Sequence, residues 1–343
     1  FRGDIYHYTP NNSFDGGNYL LNLTYRHYFT RHISVALSES AILYSNNYSL
    51  LNSAADLSVA GAQTGVSPNL QLFDNRTLSL STGVDVVVQK TSRLSFDFGG
   101  TGFLVRRESS SLYGTIGSQA RADVSYRVTR HFTAGAYYAY SHYDFDKAFG
   151  GSDVETAGAI LSLNVNRSLE LRLRGGASNV QTSGIQTVTL DPEIAAILGV
   201  SQGTAVVRHT NIVPDVSAQL FKTMRLATAS LEFIESVTPG NGLYLTSRRT
   251  GISGYYDYTG IRRWTFSAGA GRDTLSTLGI LLGQYTSTTA RIGVDRVLTD
   301  GFHATAYTEF RHYDVSEASF LRNSYRINIG LAWSPSERPL RLW

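Results

Sequence analysis

Apolar and polar residues alternate with period two along most of this chain, in segments of roughly 9–14 residues, the length of a tilted membrane-crossing strand. In Ala120-Arg121-Ala122-Asp123-Val124-Ser125-Tyr126-Arg127-Val128 one face carries Ala, Ala, Val, Tyr and Val, and the other Arg, Asp, Ser and Arg. Phe132, Ala134, Ala136, Tyr138 and Tyr140 then alternate with Thr133, Gly135, Tyr137, Ala139 and Ser141. Leu161–Val165 and Leu169–Arg174 repeat the theme around Asn166-Arg167-Ser168. Such segments predict about sixteen strands, near 1–9, 18–29, 33–44, 77–89, 93–106, 118–128, 132–145, 154–166, 169–179, 208–221, 225–237, 242–258, 263–274, 285–297, 301–313 and 322–334.

The connections alternate in length. Tight turns at 30–32, 90–92, 129–131, 166–168, 222–224, 260–262 and 298–300 are separated by mostly longer loops. That asymmetry belongs to outer-membrane barrels, whose short turns face the periplasm. Both termini then fall on the periplasmic side. Two loops are long enough to enter a lumen, 45–76 and 180–207. In the second, Asp191 as cap, Pro192 at the first helical position and Gly199 as stop predict a short helix over Asp191–Leu198.

Alternation alone does not say which face meets water. A barrel of this many strands encloses more space than side chains fill, which assigns the polar face to a wet interior. The inward set is then Arg26, Asp85, Asp97, Arg121, Asp123, Arg127, Glu155, Glu170, Arg172, Arg174, Glu232, Arg249, Asp257, Arg291, Asp295, Glu309, Arg311 and Arg326. Arginines and carboxylates are equal in number there, so weak ion selectivity is expected. An inward tyrosine set, Tyr28, Tyr137, Tyr143, Tyr255, Tyr307 and Tyr313, suits passing sugar rings or packing against guanidinium groups. Aromatics of the apolar set gather at strand ends, with Phe132, Trp264, Phe302 and Trp333 beside the turns and Tyr138 and Tyr140 toward the loops, as interfacial girdles do. Glu39 is a misfit, because the phase of 33–43 turns it toward lipid; a bulge, a shifted register or an interfacial position would explain it.

Composition narrows the classes. Lys plus Arg is 30 against 27 for Asp plus Glu, too even for a nucleic-acid binder. No apolar run approaches the ~18–20 residues of a spanning helix. Only 7 Pro in 343 residues fits a chain whose backbone N–H groups enter ladders. With no Cys, disulfides, thiolate metal sites and Cys nucleophiles are excluded. The chain opens at Phe1-Arg2-Gly3-Asp4 as a mature or trimmed product would.

Chemistry is sparse. Ser141-His142-Tyr143-Asp144 and Arg311-His312-Tyr313-Asp314 sit near loop-side strand ends, but adjacent strand residues face opposite ways. Neither a catalytic triad nor a metal site is expected, and no cofactor. Gly99-Gly100, Gly175-Gly176 and Gly269-Ala270-Gly271 precede no helix, so they relieve crowding in the wall and bind no phosphate.

The last segment, Asn328-Ile329-Gly330-Leu331-Ala332-Trp333, resembles the C-terminal signal read by the β-barrel assembly machinery, carried by Asn328, Gly330 and Trp333. That signal wants another aromatic where Pro335 stands, and a periplasmic tail, Ser336–Trp343, follows. Tyr126–Tyr138 is similar to segments of the β-barrel porin 2 group of Gram-negative bacteria. The resemblance implies an all-β, antiparallel, up-and-down transmembrane barrel over 1–335 in the outer membrane. The expected partners are lipid and lipopolysaccharide, the assembly machinery, and small polar solutes or polysaccharide. The expected function is a porin-like channel for small polar solutes, constricted by loops 45–76 and 180–207. A polysaccharide-export conduit and a structural or surface-binding barrel are the alternatives.

Overall fold

The computed structural model describes residues 2–6, 16–44, 76–189, 201–278, 283–299, 302–316 and 320–333. They form one sixteen-stranded sheet in which each strand pairs antiparallel with its sequence neighbours. The strands are β1 (Arg2–Tyr6), β2 (Gly16–Thr30), β3 (Ile33–Tyr44), β4 (Thr77–Gln89), β5 (Leu94–Arg107), β6 (Thr115–Arg127), β7 (Phe132–Phe145) and β8 (Gly151–Asn166). They continue as β9 (Leu169–Thr189), β10 (Gln202–Thr223), β11 (Ala227–Thr238), β12 (Ser247–Ile261), β13 (Trp264–Thr277), β14 (Gln284–Thr299), β15 (Phe302–Val315) and β16 (Phe320–Trp333). This is the up-and-down architecture that the alternation predicts.

The turn side is built from local chemistry. The Thr30, Thr91 and Thr129 hydroxyls each accept backbone N–H groups two and three residues on, and Asn166 Oδ1 accepts from Ser168. These side chains satisfy donors that a tight turn would otherwise leave open.

Alternation sorts the faces. On β7, Tyr137, Ala139, Ser141, Tyr143 and Phe145 are buried inward, whereas Tyr138, Tyr140 and Asp144 are exposed outward. Outward residues such as Leu23, Leu37, Leu231, Ile252 and Ile292 make an apolar belt. Trp264 stacks on Phe266 at its turn-side edge, with the Arg296 guanidinium 5.0 Å from the Trp264 ring.

Glu39 does lie on the outer face. No bulge interrupts the β3–β4 register, and Glu39 accepts a hydrogen bond from its cross-strand partner Thr82 at 2.8 Å. The row runs on through Gly102, Ser118, His142, Asp153 and Gln181, so Glu39 begins a polar line across seven strands and is no isolated defect. Glu155 was expected inward and is a correction: it is exposed on the outer face, opposite Tyr140. On β8 the buried positions are Ser152, Val154 and Thr156, so the inward phase there is even-numbered.

Two loop expectations also change. The described part of 180–207 does not fold inward. Its residues continue β9 and β10 in unbroken register as far as Thr189↔Gln202, a hairpin that runs on past the last β8–β9 pair at Ser152↔Thr182. Residues 45–75 and the helix expected over 191–198 lie outside the described residues. The strand expected from 242 begins instead at Ser247, because 239–246 have another role.

Candidate functional site: the lumen and its closing loop

The inner wall of the turn-side half is polar and its charges are ordered by glycine. Asp85, Gly99 and Arg121 share one cross-strand row. A Cβ on Gly99 would stand 2.6 Å from Asp85 Oδ1 and 2.5 Å from Arg121 Nε, so only glycine lets the two side chains meet above it. Arg121 Nη2 donates to Asp85 at 2.5 Å and lies 3.6 Å from Asp97. Asp123 is on the same face two residues on.

A second row reads Tyr137, Gly158, Gly176, Asp215. Tyr137 lies along the trough above both glycines, where an added Cβ at either would come within 2.7 Å of its hydroxyl. The hydroxyl donates to Asp215 at 2.5 Å, Arg174 Nε donates to the same carboxylate at 3.1 Å, and the Arg174 guanidinium stacks 3.6 Å from the Tyr137 ring centroid. The expected inward set lacked Asp215. Its neighbour Pro214 interrupts the strand pattern, and the β10–β11 ladder reaches only Val216, so the missing proline N–H is tolerated there. Asp273, also missed, is buried and takes Arg249 Nε and Nη2 at 2.8 and 2.7 Å.

The remaining expected residues fall on the same inner face. Glu170 accepts from Arg172 at 2.6 Å, and Arg172 stacks over Phe221. Glu232 accepts from Gln219, and Asp295 lies 3.1 Å from His303. Arg26, Arg127, Tyr28, Tyr255 and Asp257 take inward positions on their strands. Arg291 stacks over Tyr307 and Arg311 donates to Tyr313, with Glu309 and Arg326 beside them. The expected assembly-signal residues Asn328, Gly330 and Trp333 lie in β16, with Trp333 opposite Phe302 at the turn side.

The loop-side half is different, and here the expectation of a wet lumen throughout is overturned. Phe103, Val105, Tyr143, Phe145, Val154, Val180 and Val213 form one buried apolar cluster, and Tyr244, Leu275, Tyr285, Tyr313 and Val315 another. Between them sits the β11–β12 connection, residues 239–246. Leu245 packs on the first cluster and Tyr244 belongs to the second. Thr246 Oγ1 meets Ser152 Oγ of β8 at 2.5 Å, and its carbonyl accepts from Leu278. Gly242 O accepts from Tyr113 N at 3.0 Å, while Arg107 of β5 donates to Tyr113 O at 2.5 Å. A segment rooted on β11 and β12 that touches β5, β8 and β15 crosses the lumen.

That segment is rigid by construction. Asn241 Oδ1 accepts from the N–H groups of Leu243 and Tyr244, an Asx turn, and Asn241 N donates to Tyr244 O. Gly240 and Gly242 hold φ of +81° and +88°, values that L side chains rarely adopt, and a Cβ on Gly242 would strike Arg107. Thr238, Asn241, Thr246 and Ser247 are buried. The Pro239-Gly240-Asn241-Gly242 run was a visible turn signal. Nothing local said that the turn would point inward.

Three of the inward tyrosines, Tyr137, Tyr143 and Tyr313, are buried and committed to this packing. They present no open face to a sugar chain. On the outer face His142 lies 2.8 Å from Asp153 and 3.1 Å from Asp144, while Ser141 points inward. Among the described residues no three His, Asp or Glu side chains are placed to hold a metal ion together.

No family model matches the chain, and no curated protein matches it in sequence. Among solved structures it is similar to the FrpB iron transporter of Neisseria meningitidis, with 8 % identity over 89 % of this chain and a TM-score of 0.51. It is also similar to the open form of the ferric-catecholate import receptor Fiu of E. coli K12, with 9 % identity over 97 % and a TM-score of 0.49. The chain spans 55 % of the first and 69 % of the second. The fold is that of a multi-pass outer-membrane β-barrel. At such low identity the likeness speaks to fold alone.

Proposed function

We propose that this chain is an outer-membrane transport barrel for small polar solutes whose resting state is closed on the loop side by residues 239–246. The observation that carries the reading is the position of that segment, clasped by Arg107, Tyr113, Ser152 and Leu278 between two apolar clusters. Beneath it the wall is polar, so a solute that enters from the turn side meets hydrogen-bonding groups until it reaches the closing loop. Structural likeness to an iron transporter is in keeping with transport as the general task. A passive, permanently open porin is the weaker form of the proposal, because fully buried side chains stand where its channel would run. Polysaccharide export is weaker again, since half of the expected tyrosine track is buried.

Single-channel recording tests it. Replacing 240–245 by a short Gly-Ser link removes the Asx turn, Tyr244 and Leu245 together. The expected result is a step increase in conductance over the wild-type protein in planar bilayers. Equal conductance in the two proteins would remove the closing loop from the account.

A further inference from the structure

Charge at the turn side of the barrel is of one sign. The six described turns there, 31–32, 90–93, 128–131, 167–168, 224–226 and 262–263, carry Arg31, Lys90, Arg93, Arg130, Arg167, Arg225, Arg262 and Arg263, and no Asp or Glu. Residues 300–301, the seventh connection, lie outside the described residues and include Asp300. A chain with 30 cations and 27 carboxylates would, if evenly mixed, place nearly as many carboxylates as cations in such a set. The described loop-side connections differ: 108–114, 146–150 and 239–246 hold Glu108, Asp146 and Lys147 as their only charged residues. All eight turn-side cations are exposed. Arg31 donates to His32 at 2.9 Å, and none of the eight enters an ion pair among the described residues.

The cations do not stand in a purely polar setting. Phe29, Val128, Val165 and Ile261 come two residues before Arg31, Arg130, Arg167 and Arg263, while Met224 and Leu226 flank Arg225, and every one of these apolar side chains is exposed. Trp264 lies on the outer face beside its turn, with the Arg296 guanidinium over its ring. Water alone suits such apolar groups badly, and a hydrocarbon layer suits the cations badly. A bilayer interface suits both, because apolar neighbours and the stems of the cations enter the acyl boundary while the charged heads meet headgroup phosphates. A zwitterionic headgroup cancels its own phosphate charge and an anionic one does not, so a rim of one sign distinguishes the two.

We propose that the turn-side rim is a binding surface for anionic phospholipid headgroups of the leaflet that the turns face, which is the periplasmic one in an outer-membrane barrel. Electron paramagnetic resonance of the full chain in phosphatidylcholine vesicles tests it. A trace of spin-labelled phosphatidylglycerol or spin-labelled phosphatidylcholine shows how much of each lipid the protein immobilises. The phosphatidylglycerol label should be preferred at least about twofold at about 0.1 M salt, and the preference should fade at about 1 M. Arg130→Gln with Arg167→Gln, Arg225→Gln and Arg262→Gln should bring the two labels most of the way to equality. Arg→Lys at the same four positions should keep the preference, because the charge stays. Heat-modifiable electrophoretic mobility checks that each variant is folded. Equal immobilisation of the two labels by the wild-type protein at low salt overturns the surface and leaves the rim to a water-soluble acidic partner. An undiminished preference in the folded Gln variant overturns it too, by placing the lipid contact elsewhere. Conductance plays no part in the test, so this proposal and the closing loop fail independently.

Discussion

Glycine does most to organise the wall at the scale of single residues. Tyr137 reaches Asp215 three strands away because Gly158 and Gly176 leave its ring a trough to lie in. The hydroxyl, the carboxylate and the Arg174 stack then form one unit, in which a buried acceptor has two donors. Removing the hydroxyl with Tyr137→Phe leaves Asp215 with Arg174 alone, at a cost of about 1–3 kcal/mol. Gly158→Val drives a side chain into the space of the same hydroxyl and also against the Gly175 carbonyl, and costs at least as much, about 1–3 kcal/mol. Because both changes break one contact, the pair should be less costly than the sum. Urea unfolding in lipid vesicles measures all three proteins. Strict additivity would mean that the tyrosine and the glycine trough are unrelated.

At the scale of elements, the strands were legible because period-two alternation is enforced twice, by lipid outside and by the packed or hydrated lumen inside. β3, β4 and β7 begin and end where the alternation does. The face assignment carries its own test. Leu231 faces outward in the belt and its neighbour Ser230 inward. Leu231→Arg should cost about 2–4 kcal/mol if it lies near the bilayer midplane, and Ser230→Arg much less; equal losses in vesicle refolding would invert the faces. Loops were less legible, for a physical reason. The inward course of 239–246 depends on Arg107, Tyr113, Ser152 and Leu278, which are remote in sequence, and length alone pointed to 180–207 instead. Its described residues pair with each other as far as Thr189↔Gln202, so their backbone groups are satisfied without entering the lumen. Deleting 186–204 is therefore expected to leave conductance unchanged, and a rise to the level of the loop-replaced protein would return constriction to that hairpin. Asp215 and Asp273 were hidden for a related reason: a carboxylate beside proline or inside a Gly-Arg-Asp run has no periodic signature.

Across the whole molecule, an even count of arginines and carboxylates suggested weak ion preference, and the arrangement refines what weak means. Among the described inward residues below the closing loop, β14–β16 carry Arg291, Arg311, Arg322 and Arg326 against Asp295 and Glu309, whereas β4–β6 carry Asp85, Asp97 and Asp123 beside Arg121 and Arg127, so a widened lumen offers anions and cations different walls. Each ion lowers its barrier along its own wall, and the two conductances nearly balance. The balance should then be movable from either side. In the loop-replaced protein, Arg291→Gln with Arg326→Gln should shift the reversal potential in a salt gradient toward cations. Asp85→Asn with Asp123→Asn should shift it toward anions. Both shifts should be clear near 0.1 M salt, where the screening length is about 10 Å, and fade near 1 M, where it is about 3 Å. A lumen whose charges are wholly absorbed in wall-bound pairs would behave otherwise. Its reversal potential would stay fixed under both double substitutions at low salt, and that result would show the segregation of charge to be structural and without influence on passing ions.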